Sequence, residues 1–93
     1  MDISFDPAKR ARTLAERGLD FADAGRVFAG LTMTRPDDRF DYPEPRFQTF
    51  GLLDDRLVMV VWADVEGRRR IVSMRKCNDE ERERYHTELD RSG

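Results

Sequence analysis

Three segments of this chain are separated from one another by only two residues each, and this spacing limits the possible folds more than any other feature. They are Arg46 to Leu53 (RFQTFGLL), Arg56 to Val65 (RLVMVVWADV) and Arg68 to Lys76 (RRRIVSMRK). The breaks between them are Asp54-Asp55 and Glu66-Gly67, both of turn-forming composition. Strands joined so closely pair antiparallel, because a parallel crossover needs a dozen or more residues. The middle segment is apolar at successive positions and belongs at the centre of the sheet, with both faces covered.

Around this meander the chain reads as β-α-α-β-β-β-β-α. Residues 2–5 (DISF) alternate and form a short edge strand. Asp6 is an N-cap with Pro7 in the first helical position, and Gly18 ends the helix. Its apolar stripe, Ala8, Ala11, Leu14 and Ala15, is narrow and faces the core. Asp20 caps a second helix with Phe21, Ala24, Val27 and Phe28 at helical spacing, closed by Gly30. Leu31 to Arg35 alternate as a strand, and Pro36 to Pro45 (PDDRFDYPEP) form a long polar loop, either functional or a disordered connection. Asn78 with Glu81 makes a capping box for a last helix from about Asp79 to Leu89, where only Tyr85 and Leu89 offer a core-facing seam; the tail DRSG is expected to fray. The expected fold class is α+β: a small twisted antiparallel sheet with two N-terminal helices on one face and a C-terminal helix at an edge or end. Residues 1–93 suffice for a single domain.

Charged residues make up 39% of the chain, yet the formal net charge is −2. The molecule as a whole therefore does not attract nucleic acid, and any such binding comes from local patches. Arginine supplies nearly all the positive charge, the lysines being Lys9 and Lys76. Its planar fork suits phosphate and carboxylate equally, so the partner is nucleic acid or an acidic protein surface, unless the bias is only one of codon usage. The single cysteine, Cys77, excludes an internal disulfide and reads as a structural strand-end residue; with no signal-peptide core at the N-terminus, a cytoplasmic location is expected. One His (His86) and one Cys, out of ligand spacing, give no metal site, and no glycine-rich loop or Ser/His/Asp set points to a cofactor or a nucleophile.

What remains is a group of guanidiniums with a few polar companions. Strand alternation places Arg69, Ile71, Ser73 and Arg75 on one face and Arg70, Val72, Met74 and Lys76 on the other. Arg46 starts a neighbouring strand, and Glu81, Arg82 and Tyr85 share one side of the last helix. Such a set fits phosphodiester chemistry: arginines hold the phosphate and stabilise its transition-state charge, Glu81 or Tyr85 transfers protons, and the 2′-OH of RNA is itself the nucleophile, so no metal is required. The competing reading is an ion-pair network in which Glu81 and Arg82 bind Arg75 or Arg70 and hold the helix to the sheet.

The chain also resembles the BrnT family of type II toxin–antitoxin toxins. Phe5-Asp6-Pro7-Ala8-Lys9 resembles the family's W-D-P-x-K opening, and Gly18-Leu19-Asp20-Phe21 with Ala24 and Val27-Phe28 its H-G-V-x-F-x-x-A-x-x-V-F segment. Glu44-Pro45-Arg46 followed by Gly51 resembles G-E-x-R…G, and Arg70 to Lys76 with Glu81-Arg82 and Tyr85 resembles R-I-I-S-A-R-K/R…E-R…Y. The resemblance implies a RelE-like ribonuclease fold, an endoribonuclease that inhibits translation, and a BrnA-like ribbon-helix-helix antitoxin that alone binds operator DNA. It implies a functional set of Arg46, Arg70, Ser73, Arg75, Lys76, Glu81 and Tyr85, with Glu44 a weaker member. Of these Arg46, Arg70, Ser73, Arg75, Glu81 and Tyr85 are the expected catalytic residues, and Lys76 and Glu44, together with Arg69 and Arg82, the expected RNA contacts. The chain departs from the pattern at Phe5 (Trp in the family), at Thr13 (often Asn), at Arg17 (often His) and at Asp79-Glu80 (usually basic). These departures keep open an alternative: a weak or inactive module whose basic face holds an acidic partner.

Overall fold

A computed structural model describes residues 2–92. The order of elements is β1 (Ile3–Phe5), α1 (Pro7–Arg17), a 3-10 turn (Phe21–Asp23), α2 (Ala24–Ala29), β2 (Thr32–Pro36), β3 (Arg46–Leu53), β4 (Arg56–Val65), β5 (Arg68–Lys76) and α3 (Asp79–Ser92). The fold is α+β, with one five-stranded sheet in the order β1-β5-β4-β3-β2. The apolar β4 is central, as its two-sided pattern requires.

The sheet is mixed rather than antiparallel throughout. β1 pairs in parallel with β5, Ile3 to Phe5 against Arg69 to Ile71, while the other pairs are antiparallel. The chain between β1 and β5 is long enough for a crossover, so the two-residue argument that governs the meander does not reach β1. Both hairpin turns are left-handed at both residues: Asp54 and Asp55 have φ of 50° and 65°, Glu66 and Gly67 of 54° and 78°. This is the backbone that lets two residues join twisted strands.

α1 starts where Asp6 accepts the Ala8 N–H at 3.0 Å and stops at Gly18, whose φ of 69° lets its N–H reach Leu14 O at 3.0 Å. The expected apolar stripe does not hold it. No α1 residue is buried and Leu14 is 45% exposed. Polar contacts fasten the helix instead: Arg10 Nε donates to Asp20 Oδ1 at 2.7 Å, and Arg17 Nη1 donates to the Met74 carbonyl at 2.8 Å. The second helical segment begins as the 3-10 turn, Asp20 accepting from Ala22 N at 2.9 Å, before α2 continues it.

Core residues lie on both sides of the sheet. On one side Leu19, Phe21, Ala24 and Val27 pack onto Val58, Val60, Ile71 and Met74. Gly51 lies beneath α2, where an added Cβ would stand 2.8 Å from Val27 Cγ1. On the other side Tyr85 and Leu89 of α3 cover Phe50, Leu57, Met59 and Cys77. Tyr85 is 1% exposed, and its hydroxyl donates to Leu31 O at 2.7 Å, anchoring α3 toward β2. α3 runs on through Asp90 and Arg91 to Ser92, past the expected fraying point; Arg91 pairs with Glu88 on the last turn. No helix among the described residues is long and apolar enough to cross a membrane.

Simple alternation fails in β5. Ile71 pairs with Trp62 but Ser73 pairs with Val61, so Val72 is an extra residue, a bulge. The bulge resets the phase, and Ile71 and Met74, assigned to opposite faces by alternation, are buried in the same core. It likewise brings Arg70 onto the face of Ser73 and Arg75, since their partners Ala63, Val61 and Met59 alternate along β4.

Candidate RNA-cleaving site

The strand register lays out the site on the face opposite α2, with α1 along its margin. Arg46 and Arg70 flank Ala63 in one cross-strand row, to which Ser4 adds the β1 end. The next row is Arg35, Gln48, Val61 and Ser73, and the one beyond is Met33, Phe50, Met59 and Arg75. α3 packs over this last row; in the first two rows Val61, Ala63 and Gln48 are buried too, and the more exposed groups are Arg35, Arg46, Arg70 and Ser73 around them. The result is a shelf with small apolar residues as its floor and guanidiniums at its margins.

Arg46 and Arg70 meet in a recess of about 130 Å³ that Glu44, Lys9 and Asp6 also line. Neither arginine takes part in an ion pair among the described residues. The Arg46 guanidinium lies 4.1 Å from the centre of the Tyr42 ring, and its Nε is buried without a hydrogen-bond partner. Two guanidiniums bordering one recess, neither in a salt bridge, attract an anion there against the opposing charge of Glu44 and Asp6. Ser73 lies one row along, in a separate depression bounded by Arg12, Thr13 and Arg17 of α1.

Arg75 and Glu81 have a different role. The Arg75 fork donates to both Glu81 oxygens, at 2.8 and 2.7 Å. Glu81 also accepts from Asn78 N at 3.0 Å while Asn78 Oδ1 accepts from Glu81 N at 2.9 Å, the expected capping box. The Arg75 fork first, and the Asn78 N–H as well, hold the Glu81 carboxyl down to about 2 against the opposing effect of burial. A carboxylate so well satisfied is a poor base near neutrality. This pair realises half of the competing network reading, and its row lies four strand positions from that of Arg46, roughly 13 Å along the strands. Arg82 instead pairs with Asp79 on its own helix.

Two further residues of the expected set lie on the helix-covered face. Arg69 stacks on Phe28 at 4.1 Å and Trp62 at 4.9 Å. Lys76 is opposite Val58 and borders a hollow beneath Leu14 and Gly18. Tyr85 is in the core, where burial raises its hydroxyl pKa. Burial, foremost, likewise pushes the Cys77 thiol up to about 11, in keeping with a structural residue.

The shelf also contains residues that the sequence reading did not select. Arg35 donates from Nε to Gln48 Oε1 at 2.8 Å, beside the Phe50 ring. Asp37, its side chain fully buried, receives both Nε and Nη2 of Arg39, at 2.7 and 2.8 Å. The Arg39 fork lowers the Asp37 pKa and Asp37 raises that of Arg39. Gln48 was discoverable, because it shares a strand face with Arg46 two positions earlier. Lys9 was too, one helical turn after Asp6. Arg39 and Asp37 gave no periodic signal, since both lie in the irregular loop.

No curated protein matches the chain. A family model does: residues 5–81 match the model described as ribonuclease toxin, BrnT, of type II toxin–antitoxin system. That stretch carries both arginines of the recess, the bulged β5 and the Arg75–Glu81 pair, and with most of its length matched the chain belongs to the BrnT family of ribonuclease toxins.

Proposed function

We propose that this toxin is a metal-independent endoribonuclease whose phosphate site is the Arg46–Arg70 recess. What supports the reading best is the pairing of two guanidiniums, neither in an ion pair among the described residues, with the Glu44 carboxylate in one recess. Arg46 and Arg70 hold the scissile phosphate and stabilise the charge that collects on its oxygens. Glu44 takes the proton of the 2′-OH, which attacks phosphorus. The 2′-O–P bond forms as the P–O5′ bond breaks, leaving a 2′,3′-cyclic phosphate and a 5′-OH. The departing oxygen collects a proton from the Lys9 ammonium, which lines the same recess. Ser73 orients the strand beside the recess. Glu81 positions Arg75 at the margin and transfers no proton.

In this reading cleavage of RNA inhibits translation in the cytoplasm, and a BrnA-like ribbon-helix-helix antitoxin neutralises the toxin and carries it to operator DNA. The test is RNA cleavage by purified protein in chelator. Arg46→Ala is expected to lower the rate by about 10²- to 10³-fold with the fold retained. Equal cleavage by both proteins discards the recess. Growth arrest on expression, relieved by the antitoxin gene, separates a nuclease from a non-catalytic module.

A further inference from the structure

The Pro36–Pro45 loop contains an aromatic residue that the fold does not use. Phe40 is 70% exposed, on a segment that is otherwise polar. Among the described residues its ring contact is edge-to-face with Tyr42, at 5.9 Å and 78°. Tyr42 in turn lies under the Arg46 guanidinium. The loop is held in place: Asp37 N donates to Arg46 O at 2.8 Å, and the buried Asp37 carboxylate grips Arg39. A solvent-facing ring one aromatic contact away from a phosphate-binding arginine costs hydrophobic exposure and contributes nothing to the core.

We propose that Phe40 is a nucleobase-stacking subsite, receiving one unpaired base of single-stranded RNA next to the phosphate held by Arg46 and Arg70. The inference rests on the recess being an RNA site. Single-stranded RNA is recognised by aromatic rings and guanidinium planes on which splayed bases stack, with arginines following the backbone. Phe40, Tyr42 and Arg46 supply both components in one depression. Asp38, Asp41 and Glu44 line that depression too. Asp38 and Asp41, which line this depression and not the Arg46–Arg70 recess, repel phosphate, so the base and not the backbone occupies it. A carboxylate accepts hydrogen bonds and donates none, which favours a base edge bearing adjacent N–H donors. Guanine, with N1–H and the N2 amino group, offers such an edge; uracil offers one donor between two acceptors.

Fluorescence anisotropy with labelled 2′-O-methyl pentanucleotides, which lack the nucleophile and cannot be cleaved this way, tests the subsite. Phe40→Ala is expected to weaken binding about tenfold, and Phe40→Trp to preserve it. An abasic residue at the stacked position should weaken wild-type binding equally and have no further effect on Phe40→Ala. Guanine should outbind uracil at that position in the wild-type protein. If Phe40→Ala binds like wild type while Arg46→Ala binds weakly, the subsite is wrong and the phosphate recess stands. If wild-type protein binds none of the oligonucleotides, both readings fall. If Phe40→Ala loses only its hold on the antitoxin, with RNA affinity unchanged, the ring is a protein contact and the proposal is overturned.

Discussion

The two faces of the sheet are built from the same strands by the same alternation, yet different side chains cover them. Under α2 and the 3-10 turn, Phe21, Val27, Val58, Val60, Ile71 and Met74 are almost completely removed from water. On the reverse face α3 covers Phe50, Leu57 and Met59, and Val61 belongs to the same buried cluster. Around the buried Val61, Ala63 and Gln48 the remaining rows place Arg46, Arg70 and Arg35. Hydrophobic burial therefore stabilises both faces. The arginine-bordered part of the second keeps charges whose desolvation would be costly and whose exposure is useful. Stability and ligand attraction occupy different parts of one sheet.

The division can be broken first on the face under α2. Phe21→Ala is expected to cost about 3–5 kcal/mol in denaturant unfolding while leaving cleavage per folded molecule intact. This is the reverse of the pattern expected for Arg46→Ala. A loss of cleavage without a loss of stability in Phe21→Ala would show that the faces are coupled. Gly51→Ala is a milder probe of the same packing. Its Cβ would meet Val27 Cγ1 at 2.8 Å and Thr32 Cγ2 at 3.1 Å, forcing α2 outward at a cost of about 1–3 kcal/mol. Unchanged thermal stability in that variant would mean the helix layer yields freely.

The smallest effect concerns the margin of the shelf, where Arg75 meets Glu81. The Glu81 carboxyl is lowered from 4.5 to about 2. Its folded value is the depressed one, so its stabilisation is complete above pH 4.5 and disappears as pH falls toward 2. Glu81→Gln keeps a capping side chain but not the ion pair. It should cost about 1 kcal/mol at neutral pH, a figure reduced by the partial exposure of Arg75, and should show no such loss between pH 4.5 and 2. Identical acid unfolding curves for the two proteins would show that the pair is decorative.

Much of this architecture was legible because it is local. Asp6-Pro7 and Gly18 bounded α1, the Asn78–Glu81 box started α3, and the two-residue turns bounded β3, β4 and β5 at the residues observed. The errors have non-local causes. The parallel pairing of β1 depends on where α1 returns the chain. The Val72 bulge depends on how β5 meets β4, and it moved Arg70 to the face of Ser73 and Arg75 while leaving Arg69 under Phe28. Of the expected site, Arg46, Arg70 and Glu44 share a recess and Ser73 adjoins it; Arg75 and Glu81 neutralise each other, and Tyr85 packs in the core.

By itself the sequence determined the order of elements, the central place of β4 and a surplus of guanidiniums near β5, since capping, turn chemistry and periodicity act within a few residues. Only the tertiary structure decided which arginines keep a carboxylate and which are left to attract an anion. That choice depends on a one-residue bulge, on where α3 ends its cover and on how the Pro36–Pro45 loop folds back over Arg46. Charges find their partners through space, and no spacing along the chain encodes a distance between strands that are not neighbours.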